Sequence, residues 1–223
     1  MLEPQTIKFL KQLTKNNNKP WFDAHRAQYE ASRIDFSNFI QLAIDALQKS
    51  DTTITGLSSK DCMFRINRDI RFSKDKTPYK NNFGASIKRG GRKSIYAGYY
   101  FHCSPGTSFV GGGLWMPEPE HLKKLRQEID YNWDEFKSIL KEKNFKKIYG
   151  DLYQGDDVKL SRMPKGYEMD NPAIEYLKLK CFIAEKRIDD EELVTSSLHK
   201  KALTAFQALQ PLLNFINRAL EGE

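Results

Sequence analysis

Cysteine is scarce, with three residues in 223 (Cys62, Cys103 and Cys181). An odd number of widely separated thiols cannot form a disulfide framework, so reduced cysteines in the core of a cytoplasmic protein are expected. Histidine is scarce too. His25, His102, His121 and His199 show neither an HExxH pattern nor paired CxxC partners, so no metal site and no cofactor are expected. No apolar run approaches the ~18 residues a membrane-spanning helix needs. The amino-terminal MLEPQTIKFLKQL also lacks the apolar stretch and small residues of a signal peptide, so no membrane partner is expected. There is no repeat, no low-complexity tract and no Pro/Gly/Ser linker, which makes residues 1–223 one domain. Hydrophobic residues at 39%, with 12% aromatics, are enough to fill its core.

Periodicity predicts an α+β fold with a helical amino-terminal segment, a central antiparallel meander, helices packed on that sheet and a helical carboxy terminus. Residues 5–15 carry apolar side chains at helical spacing, and Pro20 suits the first turn of a second helix. From Trp21 to about Gln48 the pattern predicts one long helix, or two joined near Ser32. Strands are predicted at Phe83–Lys88, Tyr96–Ser104, Ser108–Met116, near Val158–Leu160 and at Cys181–Lys186, with turns at Arg89–Arg92 and Pro105-Gly106. Helices are predicted from Pro117 to Ile129, over Trp133–Lys143, from Asn171 to about Leu179 and over Glu191–Leu220, with a kink at Pro211.

The most unusual stretch is FRINRDIRFSKDKTPYK, Phe64 to Lys80. Phe64, Ile66, Arg68, Ile70 and Phe72 alternate with Arg65, Asn67, Asp69 and Arg71, as in a half-buried strand, followed by a loop from Asp75 to Asn82. Arg68 then falls among apolar neighbours and needs a bulge or a carboxylate partner, with Asp69 and Asp75 nearest. Residues 61–93 hold ten Lys/Arg against three acids (Asp61, Asp69 and Asp75), a surplus of seven that equals the net charge of the whole chain, +7. So local an excess points to something anionic.

The run RINRDIRFSKDKTPY fits the pattern Arg-x-x-Arg-Asp-x-Arg-Phe-x-x-Asp/Asn-Lys-x-x-Tyr, and in this respect the chain resembles the bacterial DUF2461 family of conserved hypothetical proteins. WFDAHRAQYE, GYYFHCSPGTSFVGGGLWMPEPEHLKKLR and PKGYEMDNPAIEYLKLKCF extend the resemblance over nearly the whole chain. Arg65, Arg68, Asp69, Arg71, Phe72, Asp75, Lys76 and Tyr79 fill the pattern without departure. The resemblance implies no activity, cofactor or catalytic residue, so the chemistry rests on the side chains.

Arg65, Arg68, Asp69, Arg71, Asp75, Lys76, Tyr79 and Lys80 are the candidate ligand-binding residues, with His25, Arg26 and His102 as a supporting set. Guanidinium groups hold phosphate or carboxylate bidentately, and two aspartates cannot neutralise five cations. Three readings stay open at this stage: a small anionic ligand, with or without chemistry following binding; nucleic acid gripped by the same basic segment, as a pI near 9.1 allows; or a charge network that only holds the fold. Gly111-Gly112-Gly113 is expected to mark a bulge or bend beside Trp115. It is not a phosphate loop, since no Gly-Lys-Ser/Thr follows.

Overall fold

A computed structural model describes residues 1–221. The chain opens with α1 (Pro4–Lys15), α2 (Lys19–Ala24) and α3 (Arg26–Leu47). Pro4 and Pro20 occupy first-turn positions, and the Asn18 side chain caps α2 by accepting from the Trp21 amide at 3.0 Å. The break between α2 and α3 falls at His25, not near Ser32, which lies buried in the middle of α3. His25 stacks on Trp21 with ring centroids 4.0 Å apart, and its Nδ1 donates to the Trp21 carbonyl at 2.8 Å, closing off α2.

After the short α4 (Ser59–Cys62) the chain forms a four-stranded antiparallel sheet in the order β1 (Phe83–Ile87), β2 (Gly98–Cys103), β3 (Phe109–Leu114) and β4 (Phe182–Arg187). Between β3 and β4 lie α5 (Pro119–Tyr131), α6 (Trp133–Lys141), α7 (Lys143–Tyr149) and α8 (Ile174–Leu177). α9 (Asp190–Leu193) and α10 (Leu198–Glu221) follow β4. Among the described residues no helix is long and apolar enough to cross a membrane. The strand expected near Val158–Leu160 is a short 3-10 turn with one isolated bridge, Lys159 to Leu179.

One sheet face is the core face. Phe83, Ala85, Ile87, Tyr99, Phe101, Cys103, Val110, Leu114, Phe182 and Ala184 are all buried there. Phe36 of α3 stacks on Phe83 at 5.4 Å, Phe39 meets Phe101 at a tilt with centroids 4.8 Å apart, and Phe206 of α10 packs edge-on to Tyr99 at 5.4 Å. Such ring pairs each add about 0.5–1.5 kcal/mol beyond their buried area. The Tyr99 hydroxyl donates to the buried Asp51 at 2.9 Å, so this core polar group is satisfied. α10 continues through Pro211 and joins α5 and α6 through Arg218, which pairs with Glu128 and Glu135 at 2.7 Å each.

The strand predicted over Phe64–Phe72 does not form. The chain touches β1 at its start, with a Met63–Ala85 bridge and the Phe64 amide donating to the Gly84 carbonyl at 3.0 Å, and then leaves the sheet. Only Ile66 of the alternating set is buried, while Phe72 is 96% exposed. The alternation fails because nothing pairs with it: the segment folds back on itself as a wide loop. Its base is the Asn67–Tyr79 bridge, where the Arg68 amide donates to Pro78 at 2.9 Å and the Lys80 amide to Ile66 at 2.8 Å.

Candidate functional site

The second face of the sheet is set by register. Ser86, Tyr100, Gly111 and Glu185 form one row across the four strands, and Gly84, His102, Phe109 and Arg187 form the next. An open cleft of about 900 Å³ lies over this face. That size suits a small-molecule site. Its wall is aromatic: His102 stacks on Phe109 at 4.9 Å, Tyr100 lies 5.6 Å from Phe109, and Phe64 meets Tyr100 edge-on at 6.3 Å. Part of its floor is bare backbone, because Gly98, Gly112 and Gly113 line it.

Those glycines are required by pairing, and no bulge is present: β3 keeps register with both neighbours from Phe109 to Gly113. A Cβ on Gly112 would lie 2.2 Å from the Gly98 carbonyl oxygen, and one on Gly113 2.0 Å from that of Phe182. Both have positive φ, at 155° and 127°. The triplet therefore lets three strands approach closely, and Gly98, Gly112 and Gly113 leave bare backbone in one part of the cleft floor. Just beyond it, Met116 is the non-glycine residue with positive φ (40°) among the described residues, and it lines the cleft mouth with Trp115. Strained backbone of this kind clusters at functional sites.

Charge divides the cleft. Lys80, Lys88 and Arg92 lie toward β1, whereas Glu118, Asp157 and Glu185 lie toward β4. The Lys88 Nζ donates to the Ser94 carbonyl at 2.9 Å, and the Lys80 Nζ sits 5.4 Å above the Phe64 ring. Neither lysine forms an ion pair among the described residues. Burial pulls both ammonium groups below the usual lysine range, helped at Lys80 by repulsion from Arg65. Burial also lowers His102, which keeps its imidazole neutral at neutral pH. Its Nδ1 lies 3.3 Å from the Tyr100 hydroxyl and 3.5 Å from the Asn82 amide nitrogen. The Ser94 Oγ is buried without a hydrogen-bond partner among the described residues.

The motif residues do not converge on one point. Arg68 is tied to Asp75 and Thr77 and donates to the Ser73 hydroxyl at 3.4 Å. Asp75 also accepts from the Thr77 amide at 2.9 Å, and these bonds hold its carboxyl at about 2. Arg71 forks onto Asp69 at 3.0 and 2.7 Å on the exposed surface. Lys76 donates to the Ile70 carbonyl at 3.0 Å. Tyr79 is buried against Phe22, and Asn17 brackets its backbone with two hydrogen bonds of 2.9 and 3.1 Å. Of the eight candidates, Lys80 lines the sheet cleft, while Arg65 and Tyr79 line a second cleft of about 740 Å³ between α3 and the motif loop.

His102 alone of the supporting set faces the sheet cleft. Arg26 lines the second cleft, paired with Asp23 at 3.0 Å and placed over the Phe22 ring, and His25 is occupied by Trp21. Sequence reasoning missed Tyr100, Phe109, Lys88, Arg92 and Ser94. The signal was present in the alternation of Tyr100 and His102 with the core residues Tyr99, Phe101 and Cys103. All three cysteines are buried and free, with the Cys62 and Cys181 thiols pushed up to about 12 and about 11 chiefly by burial. They are inert as nucleophiles at neutral pH. No cluster of three or more metal-ligating side chains occurs among the described residues.

Fold and cleft together define an α+β protein whose antiparallel sheet is packed on one face and carries a polarised, aromatic-walled cleft on the other. Residues 5–215 match the model of the family described as "Conserved hypothetical protein (DUF2461)", and the chain belongs to that family. No curated protein and no solved structure matches it significantly.

Proposed function

We propose that this protein binds a small ligand carrying a planar ring and an anionic group, phosphate or carboxylate, in the cleft over the sheet. One observation carries the reading: two half-buried lysines without carboxylate partners stand at the edge of a ring-walled cleft whose floor is in part bare backbone. A buried cation without a counter-ion is costly, and an arriving anion offsets that cost. The ring of the ligand lies against Tyr100, His102 and Phe109. Its anion meets the cationic β1 edge that carries Lys80 and Lys88, with the free Ser94 hydroxyl beside Lys88.

In this reading the motif contributes at two levels. Phe64 and Lys80 face the ligand, and the Arg68–Asp75 and Asp69–Arg71 pairs shape the loop that carries them. His102 is available as a proton acceptor, and the reading assigns no reaction to it.

The test is a thermal-shift screen of nucleoside monophosphates, sugar phosphates and aromatic carboxylates, followed by titration calorimetry. Ring-bearing anions are expected to raise Tm, and Lys80→Ala and Lys88→Met to abolish the rise. A panel without any response, or a response that both variants keep, overturns the reading.

A further inference from the structure

Phe64 and Arg92 line both clefts, so the two meet at a shared ridge. The second cleft is strongly cationic: Arg26, Arg33, Lys60, Arg65 and Arg92 line it against the single carboxylate of Glu30. Arg26 and Arg33 pair with Asp23 and Glu30, and the Arg92 Nη1 donates to the carbonyls of Lys60 and Asp61 at 2.8 and 3.0 Å. Arg65 is exposed and forms no ion pair among the described residues. One small anion in the sheet cleft leaves the side chains of Lys60 and Arg65 without a role.

We propose that the two clefts form one track for single-stranded nucleic acid. One base sits in the sheet cleft, and the phosphates that follow pass Phe64 and Arg92 into the cationic groove. This extends the ligand reading above, on which it rests, by making the ring-bearing anion the terminal nucleotide of a longer chain.

Three features select that polymer. First, cations line both clefts, Lys80 and Lys88 the sheet cleft, Arg26, Arg33, Lys60 and Arg65 the second, and Arg92 both, as a line of phosphates requires and a single phosphate does not. Second, the stacking wall of Tyr100, His102 and Phe109 lies inside a cleft, where only an unpaired base can reach it, which favours a single strand over a duplex. Third, Glu118, Asp157 and Glu185 repel phosphate from the β4 end and accept hydrogen bonds from base amino groups, which fixes the direction of the chain.

Fluorescence anisotropy with a labelled deoxycytidine pentanucleotide tests the track, with deoxycytidine monophosphate, a duplex and polyglutamate as competitors. The pentanucleotide is expected to bind about tenfold or more tighter than the monophosphate, with log affinity falling against log salt by about 0.7 per phosphate neutralised. Arg33→Ala and Arg65→Ala alter exposed side chains. Each is expected to lower the ratio of pentanucleotide to monophosphate affinity about tenfold and to reduce the salt slope by about 0.7. A pentanucleotide that binds no tighter than the monophosphate overturns the track and leaves the small-ligand reading standing. Equal competition by duplex or polyglutamate also overturns it. Failure of every small anion to bind removes the ligand reading, and the track with it.

Discussion

Tyr79 lies face to face on Phe22, with ring centroids 3.9 Å apart and planes 13° from parallel. The last residue of the charged motif is thus an anchor onto the amino-terminal helices, and its backbone is clamped by Asn17. Tyr79→Ala removes a buried ring and is expected to cost about 3–5 kcal/mol, the range for truncating a large core aromatic. Tyr79→Phe keeps the stack and is expected to cost under about 1.5 kcal/mol. Urea denaturation of the two variants separates a packing role for this residue from a role for its hydroxyl.

Arg68 and Asp75 close the motif loop at the surface. The Asp75 side chain is 59% exposed, so solvent screens the pair, and Arg68→Ala is expected to lower Tm by only a few degrees. The pH dependence has a definite sign. The folded carboxyl titrates at about 2, below the usual aspartate value of 3.8, so its contribution is present above 3.8 and is lost as pH falls through 2. Asp75→Asn is therefore expected to melt below the native protein at pH 7 and to converge with it near pH 2. Melting curves at the two pH values decide the matter.

Gly112 carries a third prediction. Alanine there meets the Gly98 carbonyl at 2.2 Å and a Leu209 methyl at 2.8 Å, in the middle of a paired strand. Gly112→Ala is expected to cost more than about 4 kcal/mol and to yield little soluble protein. Gly106 has a similar demand for positive φ but nothing within 4 Å of its added Cβ, so Gly106→Ala is expected to cost about 1–2 kcal/mol. Comparing soluble yield and urea midpoints of the two variants separates steric exclusion from backbone preference.

The same residues explain what was legible in the sequence. Turn signals and alternation located β1 to β4 to within a few residues, because each of these strands buries one face on α3, α7 or α10 and the two-residue period records that burial. Residues 64–72 alternate just as cleanly and form no strand, since period two states which side chains share a face and not whether another strand is present to pair. Charge counting placed the basic surplus correctly. It did not reveal that Arg68 and Arg71 are each matched by an aspartate within the same loop, which leaves Arg65 and Lys80 to face the clefts. The cleft itself was hidden, because it depends on the register that sets Tyr100 beside Ser86 and His102 beside Phe109.

Lys80 and Lys88 link binding and stability through opposite signs. Each folded pKa lies below the usual lysine value of 10.5 because burial disfavours the ammonium form. Between the folded and unfolded values the unfolded chain binds more protons, so the ligand-free protein gains stability as pH rises toward 10.5. An anion needs the protonated lysines, so its affinity falls across the same window. Lys88→Met removes the buried charge and keeps the apolar stem. It is expected to raise the ligand-free Tm at pH 7, with the difference from the native protein shrinking as pH approaches 10.5, and to eliminate the ligand-induced rise at every pH. Melting curves from pH 7 to 10.5, with and without a nucleoside monophosphate, measure both effects at once. A ligand-free Tm that falls on substitution would show that the Lys88–Ser94 hydrogen bond outweighs the burial of the charge.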